Sequence, residues 1–264
     1  MSRFAIHELI VSLMVIDFGG HMSSNFAKTF GQLAIGLMLA FPASAEILQL
    51  NYGWFRVQLD CDTKSAVGWQ YTASKDTDNF KRHDDFYHDP AVPNRCQQTS
   101  QGTYRSSGTV KYDRGHLVPA NAMDSDPDAI RLSNMMTNVL PQAAQMNRGS
   151  WYQTELWVEC RRDIAPVSVY GGVWQGVPPE GGDFRVSHGI VAPEAFFKIA
   201  LHVNEIIAWW IPNSPDATKS RIDDYIVTVD EIESKTGLDF PVPSYLKHIR
   251  AEATNALTPD CHRG

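Results

Sequence analysis

The fold is decided by a stretch near the middle of the chain, Tyr112-Asp113-Arg114-Gly115-His116-Leu117-Val118-Pro119-Ala120. Arg114 and His116 are two residues apart, so on an extended strand both side chains leave the same face. Gly115 carries no side chain, so we expect that a bulky anion such as a phosphodiester can approach the backbone there. A cation and a base on one surface predict a site that cuts a phosphate ester.

Two later segments give this interpretation its specificity, because an Arg-Gly-His triplet is common and a single histidine is often a structural residue. They are Thr137-Asn138-Val139-Leu140-Pro141-Gln142 and Met146-Asn147-Arg148-Gly149-Ser150-Trp151-Tyr152-Gln153-Thr154-Glu155. Together the three segments resemble the DNA/RNA non-specific endonuclease family, the group of Serratia nuclease and endonuclease G. The family pattern is Asp-Arg-Gly-His, then Asn-x-x-Pro-Gln, then Asn-x-x-x-Trp with a Glu four residues further on. Every letter is present here, in order.

The resemblance runs from about Val67 to Leu246 and implies a fold and an activity. The implied fold class is α+β, with a central, mostly antiparallel sheet flanked by helices and a ββα-metal active site. Family members cut DNA and RNA with little sequence preference and leave 5′-phosphate and 3′-hydroxyl ends. Such tolerance is expected when the contacts go to backbone phosphates and not to base edges. DNA and RNA are therefore the predicted substrates.

A helix is predicted from Asn147 to about Arg161. Eight residues at about 100° each place Glu155 about 80° around the axis from Asn147, and the rise separates them by roughly 12 Å. One ion cannot be bound directly by both, so Asn147 is the predicted metal ligand, and Glu155 is expected to act through water or to orient a neighbour. The alternatives are a helix N-cap for Asn147 and a surface carboxylate for Glu155.

Mg²⁺ is the predicted ion. It dehydrates reluctantly and commonly binds one or two protein oxygens, several waters and the phosphate of the substrate. A single amide ligand is therefore sufficient when nucleic acid completes the coordination shell. His, Asn and Glu without clustered carboxylates or thiolates favour Mg²⁺, with Mn²⁺ as the alternative, over zinc.

The remaining predicted catalytic residues are His116, Arg114 and Arg82. His116, kept neutral by its surroundings, is expected to be the general base that takes a proton from water. Arg114 is expected to steady the phosphate. The family usually has a further arginine on the loop before the motif, and Arg82 is the nearest match in the loop-rich segment from Lys75 to Arg105. A solvated loop charge is the alternative for Arg82.

The composition is typical of a folded globular protein, with 43% hydrophobic and 20% charged residues. The net charge of −7 is unusual for a nucleic-acid binder, because phosphate contacts normally require a basic surface. This charge argues against tight, static binding of DNA and favours a hydrolase with a local cationic cleft. Two alternatives remain: a catalytically silent nucleic-acid-binding protein of the same fold, and a secreted phosphodiesterase that acts on small esters.

Residues 1–45 are predicted to lie outside the fold. The apolar run from Phe30 to Phe41 follows Lys28 and precedes Pro42-Ala43-Ser44-Ala45. A charged start, a short apolar run and small residues at the cleavage point are the pattern of a secretory signal peptide. The run is too short to span a bilayer, although an uncleaved anchor is the alternative.

Met22 is a second candidate start, because the signal pattern is complete from that residue onward. Residues 1–21 would then be an upstream extension. Residues 46–264 are predicted to form a single endonuclease domain. We expect it to be periplasmic or secreted, without stable membrane association after cleavage of the signal. The oligomeric state is left open by the sequence.

The number and spacing of the cysteines are consistent with an exported protein. Cys61, Cys96, Cys160 and Cys261 form an even set without a Cys-x-x-Cys pair, so a zinc site is disfavoured and two disulfides in an oxidising compartment are the simpler account. Three pairings can be drawn. We prefer Cys61 with Cys96 and Cys160 with Cys261, the second of which attaches the C-terminal tail to the core. Four buried, reduced thiols are the alternative.

Hydrophobic patterns predict further elements of the same domain. Alternation from Val67 to Ala73 predicts a half-buried strand. Asn138 and the Pro141-Gln142 pair are interpreted as scaffold that shapes the site. The other predicted elements are a short helix at 129–135, a strand at 167–170 that ends in a turn at Gly171-Gly172, core strands at 196–203 and 206–211, and a helix at 230–236 that ends at Gly237.

Overall fold

The structure, a computed structural model, describes residues 46–75, 77–258 and Cys261. The predicted signal peptide and upstream extension, residues 1–45, lie outside the described residues. No helix in the described part of the chain is both long and apolar enough to cross a membrane.

The described chain contains both strands and helices. The strands are β1 Ile47–Asn51, β2 Phe55–Asp60, β3 Ser65–Ala73, β4 Tyr112–His116, β5 Val139–Ala143, β6 Val167–Trp174, β7 Asp183–Phe184, β8 Ile190–Val191, β9 Ala195–His202, β10 Glu205–Pro212 and β11 Ile226–Val227. The helices are α1 Pro127–Ser133, α2 Ala144–Met146, α3 Tyr152–Arg162, α4 Val229–Thr236 and α5 Ser244–Lys247; a π-helical turn, Asn147–Trp151, precedes α3. Short 3-10 turns lie at Asn94–Cys96, Ala120–Ala122, Met136–Asn138 and Lys219–Tyr225.

Seven of these strands form one sheet in the order β1-β2-β3-β6-β9-β10-β11. Every neighbouring pair in it is antiparallel. Strands β4 and β5 pair separately as an antiparallel hairpin, and β7 pairs with β8. The predicted α+β class with a mostly antiparallel central sheet is therefore confirmed.

The sheet has two covered faces. Phe196 and Phe197 are neighbours on β9, so their rings point to opposite faces. On the face of Phe196, which we call the front face, the ring centroid lies 5.6 Å from that of Trp151, the residue before α3. On the face of Phe197, the back face, the apolar side chains of α4 and α5 form a second buried cluster that includes Ile232 and Leu246.

The predicted turn at Gly171-Gly172 is wrong, because β6 continues through both glycines to Trp174. A Cβ atom at Gly171 would lie 2.3 Å from the ring of Trp69, and one at Gly172 would lie 2.2 Å from the ring of Phe197. The two glycines therefore make room for large aromatic rings in the middle of the sheet. They do not mark a chain reversal.

The other predicted elements are present with small shifts at their ends. The strand at Val67 to Ala73 lies within β3, and the two core strands are β9 and β10. Helix α1 begins earlier than predicted because the side chain of Asp126 accepts hydrogen bonds from the first-turn N–H groups of Asp128 and Ala129. Helix α4 ends at Gly237 as predicted, with a φ angle of 71°.

Both preferred disulfides are present. Cys61 is bonded to Cys96, and Cys160 at the end of α3 is bonded to Cys261. The second bond joins residues 101 positions apart and attaches the tail to the helix that follows the predicted metal ligand. The stretch from Lys75 to Arg105 contains only one short helical turn among its described residues, as its loop-rich composition predicts.

Candidate active site

The hairpin of β4 and β5 presents the Asp-Arg-Gly-His motif to a cavity of about 560 Å³. Arg114 pairs with Pro141 and His116 pairs with Val139 in the ladder. Both side chains line the cavity, as expected for alternate residues of one strand. The cavity is bounded on its other side by the chain between α2 and α3.

Gly115 serves a different purpose from the one its sequence suggests. A Cβ atom on Gly115 would lie 2.1 Å from Oε1 of Gln142, whose side chain is fully buried. The space over the glycine is therefore filled by a scaffold residue of β5. The expectation that a phosphodiester approaches the backbone at Gly115 is wrong.

The predicted continuous helix from Asn147 to Arg161 is interrupted. Gly149 has φ −107° and ψ −105°, which are not helical, and regular α3 begins only at Tyr152. The 3-10 segment at residues 219–225 lies against this point, so that a Cβ on Gly149 would be 2.9 Å from the backbone nitrogen of Lys219. The spacing derived from an unbroken helix therefore does not apply, although Asn147 and Glu155 both line the cavity.

Trp151 connects the segment that begins at Asn147 to the Asp-Arg-Gly-His strand. Its ring N–H donates a hydrogen bond of 3.3 Å to the carbonyl oxygen of His116. The indole is fully buried and packs against Trp69 on β3 with ring centroids 6.1 Å apart. The start of α3 is therefore fixed to the strand of His116 and to the front face of the sheet.

The structure brings all five predicted site residues to one cavity. Its lining includes Arg82, Arg114, His116, Asn147 and Glu155. Arg82 comes from the loop before the motif and is exposed, and its Nη2 lies 3.3 Å from Nδ1 of His116.

The tautomer of His116 follows from its neighbour Asn134. Both N–H groups of the Asn134 amide donate to carbonyl oxygens, at 2.8 Å to His83 and 3.0 Å to Asp85. The amide oxygen therefore faces Nε2 of His116 at 2.9 Å and must accept from it. Nε2 carries the proton, and Nδ1 keeps its lone pair. Nothing in the sequence marked Asn134, which ends helix α1.

The surroundings of His116 keep its ring neutral. Burial is the largest cause, and the guanidinium of Arg82, whose Nη2 lies 3.3 Å from Nδ1, adds a repulsive charge. Arg114 acts in the same direction, while the hydrogen bond to Asn134 opposes them. Together they lower the pKa of His116 to about 4. The imidazole is therefore unprotonated at neutral pH, as a general base must be.

Arg114 is held in place from two sides. Its guanidinium lies 4.0 Å from the ring centroid of Phe86, and Nη1 donates a 3.0 Å hydrogen bond to the carbonyl oxygen of Gln101. Phe86 also packs against the ring of His116, with centroids 5.4 Å apart. Sequence analysis did not single out Phe86, which lies in the same loop-rich segment as Arg82.

Asp113 orients the predicted metal ligand. Its Oδ2 accepts a 3.0 Å hydrogen bond from Nδ2 of Asn147. Arg148 donates to both oxygens of Asp113, at 2.8 Å and 2.6 Å, and holds the carboxylate in place. With Nδ2 engaged, the amide oxygen of Asn147 is left to accept other contacts, which are those that a cation requires. Asp113 was visible in the motif but had been given no role.

Glu155 is half-buried in the cavity wall, so the surface-carboxylate alternative does not describe it. Burial raises its pKa, and the nearby charge of Glu159 acts in the same direction. The positive charges of Lys198 and Arg82 oppose this and favour the ionised form. Its charge state therefore depends on cations around it.

Lys198 lies beneath the cavity on β9 and is fully buried. Its Nζ donates a 2.8 Å hydrogen bond to Oγ1 of Thr154 and lies 3.8 Å from the ring centroid of Trp151. Burial lowers the pKa of Lys198 to about 8, while the charge of Glu155 opposes that shift. A buried ammonium on an aromatic face beside a half-buried carboxylate places a local positive charge under the site.

The donor atoms in the cavity fit a hard divalent cation. The oxygen donors include the amide oxygen of Asn147 and the carboxylate of Glu155, and Mg²⁺ prefers such oxygens. Elsewhere in the described chain, the group with metal-ligand spacing is Glu46 with Cys61 and Cys96, and its two cysteines are joined in a disulfide. An oxygen-coordinated ion therefore fits the cavity, and a thiolate-bound one does not.

A hairpin followed by a helix, with an imidazole and an amide oxygen on one cavity, is the arrangement of the ββα-metal nucleases. The fold agrees with a solved structure titled "Crystal structure of the EndoG/EndoGI complex: Mechanism of EndoG inhibition". The TM-score is 0.58 at 20% identity, covering 76% of this chain and 87% of that one. A profile of the DNA/RNA non-specific endonuclease family matches residues 38–243, and the chain belongs to that family.

Relatives with curated names are nucleases of bacteria and eukaryotes. The "Nuclease" of Serratia marcescens is 26% identical over 243 residues, which cover 87% of each chain. The "Nuclease" of Nostoc sp. is 29% identical over 192 residues, covering 67% of this chain and 66% of its own length. Human "Endonuclease G, mitochondrial" is 26% identical over 194 residues, covering 69% and 63%. Against several relatives, the chain therefore spans about two thirds of their length.

Proposed function

We propose that the protein is a divalent-metal-dependent endonuclease that hydrolyses phosphodiester bonds of DNA and of RNA to 5′-phosphate and 3′-hydroxyl ends. One observation carries the proposal: the unprotonated Nδ1 of His116 and the side chain of Asn147 line the same cavity. Membership of the endonuclease family supports the same conclusion. Contacts to the phosphate backbone, which DNA and RNA share, account for the lack of sugar preference.

His116 acts as the general base through Nδ1. Asn134 holds the Nε2 proton, so the ring faces the cavity with a lone pair in a fixed direction. Nδ1 takes one proton from water, and the hydroxide that forms attacks phosphorus. The bond from phosphorus to the 3′-oxygen breaks, the 3′-oxygen takes a proton from water to become the 3′-hydroxyl, and the phosphate stays on the 5′ end of the product.

Arg82 and Arg114 bind the phosphate. Arg82 now donates to Nδ1 of His116, but a phosphate oxygen is the better acceptor because it is charged. Substrate binding therefore draws the guanidinium away from the imidazole and frees the lone pair. Arg114, held by Phe86 and Gln101, steadies the charge that builds up on the phosphate during attack.

Asn147 would hold Mg²⁺, with Mn²⁺ as the alternative, through its amide oxygen. When bound, the ion supplies positive charge that neutralises the phosphate and stabilises the leaving 3′-oxygen. Asp113 keeps the amide oriented through the Nδ2 hydrogen bond. Glu155, on the same cavity, orients water and neighbouring groups around the site.

We also propose that residues 46–264 form one exported domain, periplasmic or secreted, with no stable attachment to a membrane. The signal-like residues before Glu46 and the two disulfides support this location, because disulfides persist in oxidising compartments. Some relatives are named as mitochondrial proteins, so members of the family occur in more than one compartment.

Digestion of double-stranded DNA, single-stranded DNA and RNA, with Mg²⁺ and after chelation, tests the proposal. We expect all three to be cut only with metal, and the Asn147→Ala variant to need far more Mg²⁺ or to be inactive. Asn51→Ala, an exposed asparagine on β1, is the matched control.

Two outcomes would overturn the assignment. Binding of DNA without any cutting would identify a silent binding protein of the same fold. Hydrolysis of a small chromogenic diester, with nucleic acid left intact, would identify a phosphodiesterase for small esters. An unchanged Mg²⁺ titration in Asn147→Ala would remove that residue from the metal.

A further inference from the structure

A second cavity of about 240 Å³ adjoins the catalytic one. The two share Pro119, Asn121, Tyr152 and Glu155 in their walls. We call the second space the side cavity, and its remaining walls include Tyr71 of β3. A group attached to the phosphate beside His116 therefore has a short path into the side cavity.

Tyr71 gives the side cavity a hydrogen-bond donor. The residue is only 5% exposed, and its hydroxyl is buried with no hydrogen-bond partner among the described residues. Burial raises the pKa of Tyr71, so the hydroxyl keeps its proton. A buried hydroxyl without a partner is costly, and nearly all such groups in proteins are satisfied. A ligand that enters the side cavity with an acceptor atom would satisfy it.

Tyr152 gives the side cavity an aromatic wall. It is the first residue of α3, lines both cavities and remains 41% exposed, which is unusual for a large ring next to the core. The opposite walls are apolar where Pro119, Ala122 and Val158 line them. An exposed ring, apolar walls and one buried hydroxyl without a partner fit a flat heterocycle better than an ion.

Two carboxylates and one guanidinium line the side cavity. Glu155 and Glu159 both line it, one helical turn apart on α3. Arg162 also lines it, but its guanidinium donates to the carbonyl oxygen of Asn121 at 2.7 Å and lies 4.0 Å from Asp124. A lining with more carboxylates than cations favours a neutral nucleobase over a phosphate as the occupant.

We propose that the side cavity binds the nucleobase next to the scissile phosphate, unstacked from its neighbours, with Tyr152 against its face and the Tyr71 hydroxyl bonded to its edge. The proposal rests on the proposed function, since the base reaches this cavity only when its phosphate lies beside His116. Stacking on an aromatic ring tolerates any base, because every base has a π face. Single strands would use the cavity most readily, because their bases leave the stack at least cost.

Cleavage of single-stranded oligonucleotides with one abasic position tests the proposal. The rate at each linkage that flanks the abasic position is compared with the rate at the same linkage in the intact strand. We expect the wild-type protein to cut one flanking linkage about tenfold more slowly when the base is missing, as loss of one base–aromatic stack predicts. Tyr152→Ala should lose this discrimination, and Tyr152→Phe should keep it.

Two further variants separate stacking from folding. Tyr71→Phe keeps the ring packed in β3 and removes only the hydroxyl. The ratio of cutting rates between intact and abasic strands should therefore become smaller but stay above one. Tyr245→Ala removes an exposed tyrosine from α5, on the back of the molecule, and should behave as wild type.

The outcomes distinguish failure of the side cavity from failure of the nuclease assignment. Equal cutting of intact and abasic strands by the wild type would overturn the base-binding site and leave the endonuclease intact. If Tyr152→Ala cut intact and abasic strands with the same rate ratio as the wild type, that result would also overturn the base-binding site. Absence of cutting on every strand would instead overturn the proposed function.

Discussion

The front and back faces of the central sheet are built on opposite principles. The front face, which carries the hairpin and α3, places the ionisable groups His116 and Lys198 in its interior. The back face covers β9 and β10 with α4 and α5 through a buried apolar cluster. Its charged groups pair with one another beside this cluster, as Lys247 and Glu233 do, with side chains that are 15% and 18% exposed.

The difference shows which face serves function and which serves stability. Burial of ionisable groups is unfavourable unless partners compensate, and the front face supplies such partners for each one. The buried cluster of the back face is apolar, and its packing stabilises the fold. Changes to the ionisable groups of the front face should therefore affect cutting with the fold intact, while changes to the apolar cluster of the back face should affect the fold and leave cutting unchanged.

Replacement of His116 should have the largest effect on cutting. His116→Ala removes the base, and we expect the rate to fall by about two to four orders of magnitude with the thermal unfolding midpoint little changed. His248→Ala, an exposed histidine after α5, is the control and should cut as wild type. An active His116→Ala variant would refute the role of the base and would break the contrast between the faces.

Replacement of Asp113 should have the next largest effect. Asp113→Ala frees the Asn147 amide to rotate, and loss of such an orienting partner weakens metal binding by about 10–100-fold. The Mg²⁺ concentration for half-maximal cutting measures this. Asp230→Ala, an exposed carboxylate on α4, controls for loss of surface charge. A titration that matches wild type would show that Asn147 does not depend on Asp113.

Replacement of Arg82 should change the pH dependence as well as the rate. The Arg82 charge lowers the pKa of His116, so Arg82→Ala raises that pKa from about 4 towards its ordinary value. The base is then protonated at higher pH, and the acid limb of kcat/KM should move to higher pH. Arg82→Lys keeps the charge and should keep the limb nearer its original position. A limb that moves to lower pH in Arg82→Ala would contradict this account.

Replacement of Ile232 should have the smallest effect on cutting. Ile232 on α4 is fully buried in the back cluster. Ile232→Ala should lower the free energy of unfolding by about 2–5 kcal/mol, measured by denaturant titration. The rate of cutting, measured well below the unfolding temperature, should equal that of wild type. A loss of activity in the folded variant would show that the two faces are coupled.

Local patterns predicted the elements that local interactions determine. The strand at β3 and the helix α4 with its terminal Gly237 follow from alternation and capping within a few residues. Gly171 and Gly172 were misinterpreted because the rings that need their space belong to other strands. The break at Gly149 was missed for the same reason, since the segment at residues 219–225 is distant in sequence.

In the candidate site too, the sequence predicted the residues that a local motif marks and missed those whose role depends on distant contacts. His116 and Asn147 were identified because a spaced motif marks them, and the structure brings both to one cavity. Asn134 was missed because its effect depends on hydrogen bonds to two loop carbonyls that no spacing reveals. Phe86 was missed because an aromatic residue in a polar loop has no periodic partner.

The break at Gly149 has a mechanical consequence. One continuous helix would transmit any tilt directly from the carboxylate of Glu155 to the amide of Asn147. With the helix interrupted, the amide is held by Asp113 of the hairpin, while the carboxylate belongs to α3, which Trp151 joins to both the hairpin and the sheet. A substitution at Asp113 can therefore shift the amide without tilting the helix that carries the carboxylate.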